Sequence, residues 1–165
     1  MRWVSKIFLI LGFVGVTSVP IKGYADTLQQ QYTHYGVTAY FSATEIVSSL
    51  DRFLECMGEA ERDAVAELVN RIKSRAHKLQ KFAREAILCF EDETALKIQC
   101  TMSQGVLSGI RVEMYRLRKH VEGAVVEDLA SLELDRVEEM LETVRDSFEG
   151  LNQIDNVGET RGGDQ

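Results

Sequence analysis

Pro20 is the only proline in the chain, and beyond it apolar residues recur at alternating four- and three-residue steps. A proline inside a helix removes a backbone hydrogen bond and clashes with the preceding turn. A long proline-free stretch with this rhythm therefore predicts long, uninterrupted amphipathic helices. The clearest row is Val65, Val69, Ile72, Ala76, Leu79, Ala83, Ala86 and Phe90, opening on the acidic turn after Glu59. After the polar tetrad Glu91 to Thr94 the rhythm restarts on Leu96, Cys100, Ser103, Leu107, Ile110, Met114, Leu117 and Val121, and Gly123 ends it. A third row, Ala130, Leu134, Val137, Leu141, Val144 and Phe148, predicts a helix over 124–148. This spacing is that of coiled-coil seams.

A shorter row, Ile46, Val47, Leu50, Phe53, Leu54 and Met57, precedes these and runs up to Gly58. Ser42 and Glu45 stand at capping-box spacing, the hydroxyl serving a first-turn amide while the carboxylate reaches back, so a helix start is expected at Ser42. Each helix has one apolar side to bury, and an antiparallel bundle satisfies them together. The expected fold is all-α, an antiparallel three- to four-helix bundle with coiled-coil-like seams. The competing architecture is an extended coiled coil, since Gly58 and the 91–94 tetrad are weak breakers.

The amino end reads as an export signal. Arg2 and Lys6 precede an apolar run over 7–16, and Gly23 and Ala25 offer small residues before a cleavage between Ala25 and Asp26. Even counted to Val19, the apolar stretch of about 13 residues falls short of the roughly 20 that span a bilayer, so cleavage rather than anchoring is expected. The organisation is then a signal peptide over 1–25, a polar and aromatic arm over 26–41, extended or partly helical, a bundle over 42–150 and a disordered tail over 151–165. Tyr32, Tyr35, Tyr40 and Phe41 of the arm are expected to pack on the bundle. Gly150 is expected to close the packed region.

Without the leader's Arg2, Lys6 and Lys22, the 19 basic residues fall to 16 against an unchanged 26 acidic, a net charge of −10 with histidine neutral. Such a chain is a poor match for nucleic acid. The charge is unevenly spread: Arg71, Lys73, Arg75, Lys78, Lys81 and Arg84 run without an acid among them, while Glu133, Asp135, Glu138, Glu139, Glu142 and Asp146 crowd the last helix. In an up-down-up arrangement the two runs are expected to face each other; the functional alternative is a site for anionic lipid or glycan.

Cys56, Cys89 and Cys100 are an odd set in a chain whose export permits disulfides. A chain reversal at 91–94 would bring Cys100 opposite 84–86, so a Cys89–Cys100 staple needs a small adjustment of register. Cys56 is then left over or pairs between chains. No residue three before His34, His77 or His120 is a glutamate, no Cys-x-x-Cys-His occurs, and no zinc-like spacing exists. The three histidines are read as surface residues, and neither metal nor cofactor is implied. With no Gly-x-Ser-x-Gly elbow and no cysteine near a histidine in sequence, an enzyme is not expected.

Gly105 and Gly109 form Gly-x-x-x-Gly inside a helix, where each glycine costs about 1 kcal/mol relative to alanine. Compensation is expected from the close approach of another helix or from room for a ligand between helices. Two functions follow. The favoured one is an exported, secreted, non-catalytic bundle acting on a protein partner or on itself. The alternative is a carrier holding a small apolar, lipid-like molecule in a core opened at Gly105 and Gly109.

Overall fold

A computed structural model describes residues 25–122 and 127–159. These form four helices: α1 (Ala25–Glu55), α2 (Glu59–Leu88), α3 (Glu93–Val121) and α4 (Glu127–Glu159). There is no strand among the described residues. Residues 1–24 of the expected leader, with its apolar run, lie outside them; Ala25 and Asp26 open α1.

Consecutive helices pack side by side, and α1 closes the ring against α4. Neighbours run antiparallel, as partners on facing helices step in opposite directions. Between α1 and α2, Asp51 meets Lys73, Thr44 Oγ1 accepts from Gln80 Nε2 at 3.0 Å, and Gly36 abuts Ile87. Between α1 and α4, Arg52 meets Glu133 and Tyr35 meets Gly150. The fold is an up-down-up-down four-helix bundle.

The three long seams are buried as their spacing predicts. Every residue of the α3 row, from Leu96 to Val121, lies in the interior, as does every residue of the α4 row. In α2 the row from Val65 to Ala86 is buried and Phe90 packs against its end. Two of the turns also fall where the sequence places them, while Gly123 lies outside the described residues. Gly58 is the residue before α2, its amide donating to Glu61 Oε2 at 3.1 Å, and Asp92 caps α3 by accepting from the Ala95 amide at 2.9 Å.

Helix α1 is longer than expected. It does not start at Ser42, which is buried in mid-helix, and residues 26–41 are not an arm beside the bundle. Tyr32, Ala39, Ala43, Ile46, Leu50, Phe53 and Met57 are all buried, and Gly36 fills the missing step of one four-three seam. The amino half of that seam is small: a Cβ on Gly36 would lie 2.3 Å from Ile87 Cγ1, so α1 and α2 approach closely there. Tyr35 and Tyr40 pack partly on the core, whereas Phe41 is 52% exposed.

The other end is extended too. Gly150 does not end the packed region; it accommodates the Tyr35 ring, whose Cε1 would be 2.6 Å from a Cβ. Leu151 is buried, Ile154 packs on the core, and α4 runs to Glu159. Residues 160–165 of the expected tail lie outside the described residues.

With α1 a full helix, α2 and α4 sit at opposite corners, and their charged runs take partners from α1 and α3. Arg71 and Lys73 of the basic run reach Glu113 of α3 and Asp51 of α1. The acidic run is served by Arg52 of α1 and by Arg111 and Arg118 of α3. Arg118 donates from Nε to Glu138 at 2.7 Å and from its terminal nitrogen to Asp135; these bonds, that to Glu138 foremost, raise its pKa against the opposing effect of burial.

Candidate interaction surface

Helix α3 carries its chemistry on two opposite faces. Its buried seam, shifted by two residues, gives a second four-three row: Ile98, Met102, Gly105, Gly109, Val112 and Arg116. Two residues turn a helix of 3.6 residues per turn by about 200°, so this row points away from the core. Its large apolar members do face outward: Ile98 is 50% exposed, Met102 49% and Val112 54%, with Tyr115 beside them at 64%. Glu93, Thr94, Lys97, Ile98, Thr101 and Met102 line a shallow open hollow at its amino end.

The two glycines of the row differ. A Cβ on Gly105 would have nothing within 4 Å, so Gly105 neither seats a neighbouring helix of the same chain nor borders a cavity between helices. Gly109 is covered from α2: a Cβ there would fall 1.6 Å from Arg75 Nη1. The absent side chain gives the Arg75 guanidinium a path across α3 towards Glu113.

Glu113 is one of two buried glutamates among the described residues, at 5% exposure. Its Oε1 accepts from Arg71 Nε at 3.1 Å, and its Oε2, which has no hydrogen bond, lies 3.6 Å from Arg75 Nε. The other, Glu133, bridges α4 to α1 by accepting from Arg52 Nε at 3.0 Å and also pairs with Arg136. Arg52 additionally donates to Ser49 Oγ at 2.8 Å and Glu45 Oε1 at 2.6 Å, and the bond to Glu45, then that to Glu133, raises its pKa. Glu113 is answered by two arginines of α2, and Glu133 by Arg52 of α1 and Arg136 of its own helix, an arrangement that sets helix register.

The remaining sequence candidates are dispersed. His34, His77 and His120 are exposed; His77 Nδ1 lies 2.9 Å from Gln80 Oε1 and His34 leans on the Tyr35 ring. None of the three cysteines is disulfide-bonded. The Arg71–Glu113 and Arg75–Gly109 contacts place Cys100 level with residue 84, five residues along α2 from Cys89, or about 7.5 Å of rise. Added to roughly 8–10 Å between helix axes, this exceeds the approximately 7 Å between Cα atoms that a disulfide spans, so the expected staple does not form. Cys100 lies in the core, while Cys89 and Cys56 sit half-buried at the ends of α2 and α1.

Among the described residues no group of three or more histidine, cysteine or acidic side chains converges as a metal site. No helix among them is long and apolar enough to cross a membrane. Sequence reasoning found both glycines but not the outward row containing them, because Ile98, Met102 and Val112 are ordinary residues of an amphipathic helix until the buried face is known. Compared with protein-family models, characterised proteins and solved structures, the chain matches none.

Proposed function

We propose that this chain is an exported, non-catalytic bundle that works by binding protein through the outer face of α3. The observation that carries this reading is the outward row itself. A helix that has already buried one complete seam presents Ile98, Met102 and Val112 to solvent on its opposite face, with Gly105 between them and Arg75 of α2 across Gly109. Scattered exposed apolar residues are ordinary on a protein surface; aligned ones in a contiguous row mark contact surfaces. Tyr115 beside the row, with Lys119 Nζ 5.6 Å from its ring centre, adds an aromatic of the kind enriched at interfaces.

The carrier reading places its ligand between helices at Gly105 and Gly109. Arg75 occupies the space at Gly109, and Gly105 opens outward, so nothing at these glycines favours that reading. The test is mass spectrometry of the purified exported protein, first under native conditions and then denatured without reductant. The expected result is a chain beginning at Asp26 that carries a protein partner or further copies of itself and no small molecule. An inert monomer retaining an apolar ligand would overturn the reading.

A further inference from the structure

Reversed end to end, the outer face of α3 is complementary to itself. Gly105 is its midpoint: Ile98 and Val112 lie equally far on either side, as do Thr94 and Arg116, and Glu91 and Lys119. The amino end is acidic through Glu91 and Asp92 in the turn before α3 and Glu93, which pairs with Lys97, and the carboxyl end is basic through Arg116, Lys119, which lies 3.9 Å from Glu122, and His120. Turning one copy about a two-fold axis through Gly105 lays Ile98 on Val112, sets Met102 opposite Ser108, and brings the acidic end onto the basic end. An isologous contact needs this symmetry, since both copies present the same patch. A parallel arrangement would set acid against acid and base against base.

Gly105 supplies an independent reason. Its bare backbone lies in the exposed middle of a helix, where nothing in the same chain explains the missing side chain. At the crossing point of two helices a glycine lets the backbones approach, as Gly36 does between α1 and α2.

We infer that the outer face of α3 docks antiparallel on the same face of a second copy, with Gly105 at the two-fold axis. This inference rests on the interaction reading and names its partner. Apolar contacts from Ile98, Met102 and Val112 form the centre, and Glu91 of each copy faces Lys119 of the other at the rims. Such rim pairs orient the copies more than they strengthen the contact.

The experiment is light scattering on the eluting full-length chain over a wide concentration range, its amino terminus established by intact mass. The wild type is expected to move from one chain mass towards two. Gly105→Glu sets like charges together on the axis, in a position where the single chain has open space, and is expected to weaken dimerisation about tenfold or more, 1.4 kcal/mol or more, with helical circular dichroism unchanged. Lys119→Glu alone is expected to weaken it too, and Glu91→Arg with Lys119→Glu in the same chain to restore it.

A wild type that stays monomeric throughout overturns the inference, as does a dimer indifferent to Gly105→Glu. So does a failure of the double reversal to restore what the single one removes. A monomer that binds a different protein, or its own leader, through Ile98 and Met102 also overturns self-docking but leaves the interaction reading standing for a different protein. A monomer that binds nothing removes both.

Discussion

At the scale of single residues, what surrounds a glycine decides what a methyl group there does. Gly105 has open space around its missing side chain, while Gly36 has Ile87 Cγ1 at 2.3 Å and the Ala83 carbonyl oxygen at 3.3 Å. Gly105→Ala is therefore expected to stabilise the isolated chain by up to about 1 kcal/mol through helix propensity, and Gly36→Ala to destabilise it by roughly 1–3 kcal/mol through overpacking. Urea unfolding in dilute solution reads both; a common sign for the two would contradict the packing described. Glu113 invites an asymmetric comparison. Its carboxylate is buried, but Arg71 and Arg75 have 42% and 36% of their side chains exposed and reach water when left alone. Removing both arginines strands a buried charge and is expected to cost about 3 kcal/mol. Glu113→Gln keeps a polar group for the arginines and is expected to cost nearer 1 kcal/mol. Equal losses would mean that Glu113 is better hydrated than its position indicates.

At the scale of elements, α1 holds the main surprise and also shows what a sequence can hide. The α2, α3 and α4 seams were legible because their steps fall mostly on valine, leucine, isoleucine and methionine. The turns were legible from Gly58 and from the polar tetrad Glu91 to Thr94. The amino half of α1 keeps the same step but carries it on Gly36, Ala39 and Ala43, residues with little apolar weight, amid polar glutamine, threonine and tyrosine. Ser42 and Glu45 then imitate a helix start. What decides the matter is the groove between α2 and α4, whose walls at Ile87 and Gly150 admit a helix with small side chains and Tyr35; only the assembled fold shows that groove. A proline separates the two descriptions. Thr38→Pro would be tolerated in an extended arm, but within α1 it removes a backbone bond and is expected to cost about 3 kcal/mol, read as a fall in the thermal midpoint. An unchanged midpoint would return residues 26–41 to the status of an arm. The outward row of α3 was hidden in a different way. Which of two apolar rows on one helix is surplus depends on how the neighbours close around it, and a single helix cannot say.

At the scale of the whole molecule, the bundle stands on packing and register without covalent help. An expected export made a disulfide reasonable, and the Cys89–Cys100 spacing suggested a staple across the α2–α3 turn. A bond closing a loop that short contributes about 3 kcal/mol in the chain-entropy view, which for a domain of this size is worth several degrees in the melting temperature. The ring of four helices fixes the α2–α3 register from elsewhere: Arg71 and Arg75 lock onto Glu113 and Gly109, far from the turn. Sliding Cys100 towards Cys89 would pull those arginines off the buried carboxylate and lift the Leu96-to-Val121 seam out of step with the core. The register therefore wins over the staple. Thermal unfolding of the purified protein is expected to show the same midpoint with and without reductant, and all three thiols should react with a maleimide once the chain is unfolded without reductant. A drop of several degrees on adding reductant, together with two unreactive cysteines, would show that the hairpin closes covalently after all and that the α2–α3 register shifts to allow it.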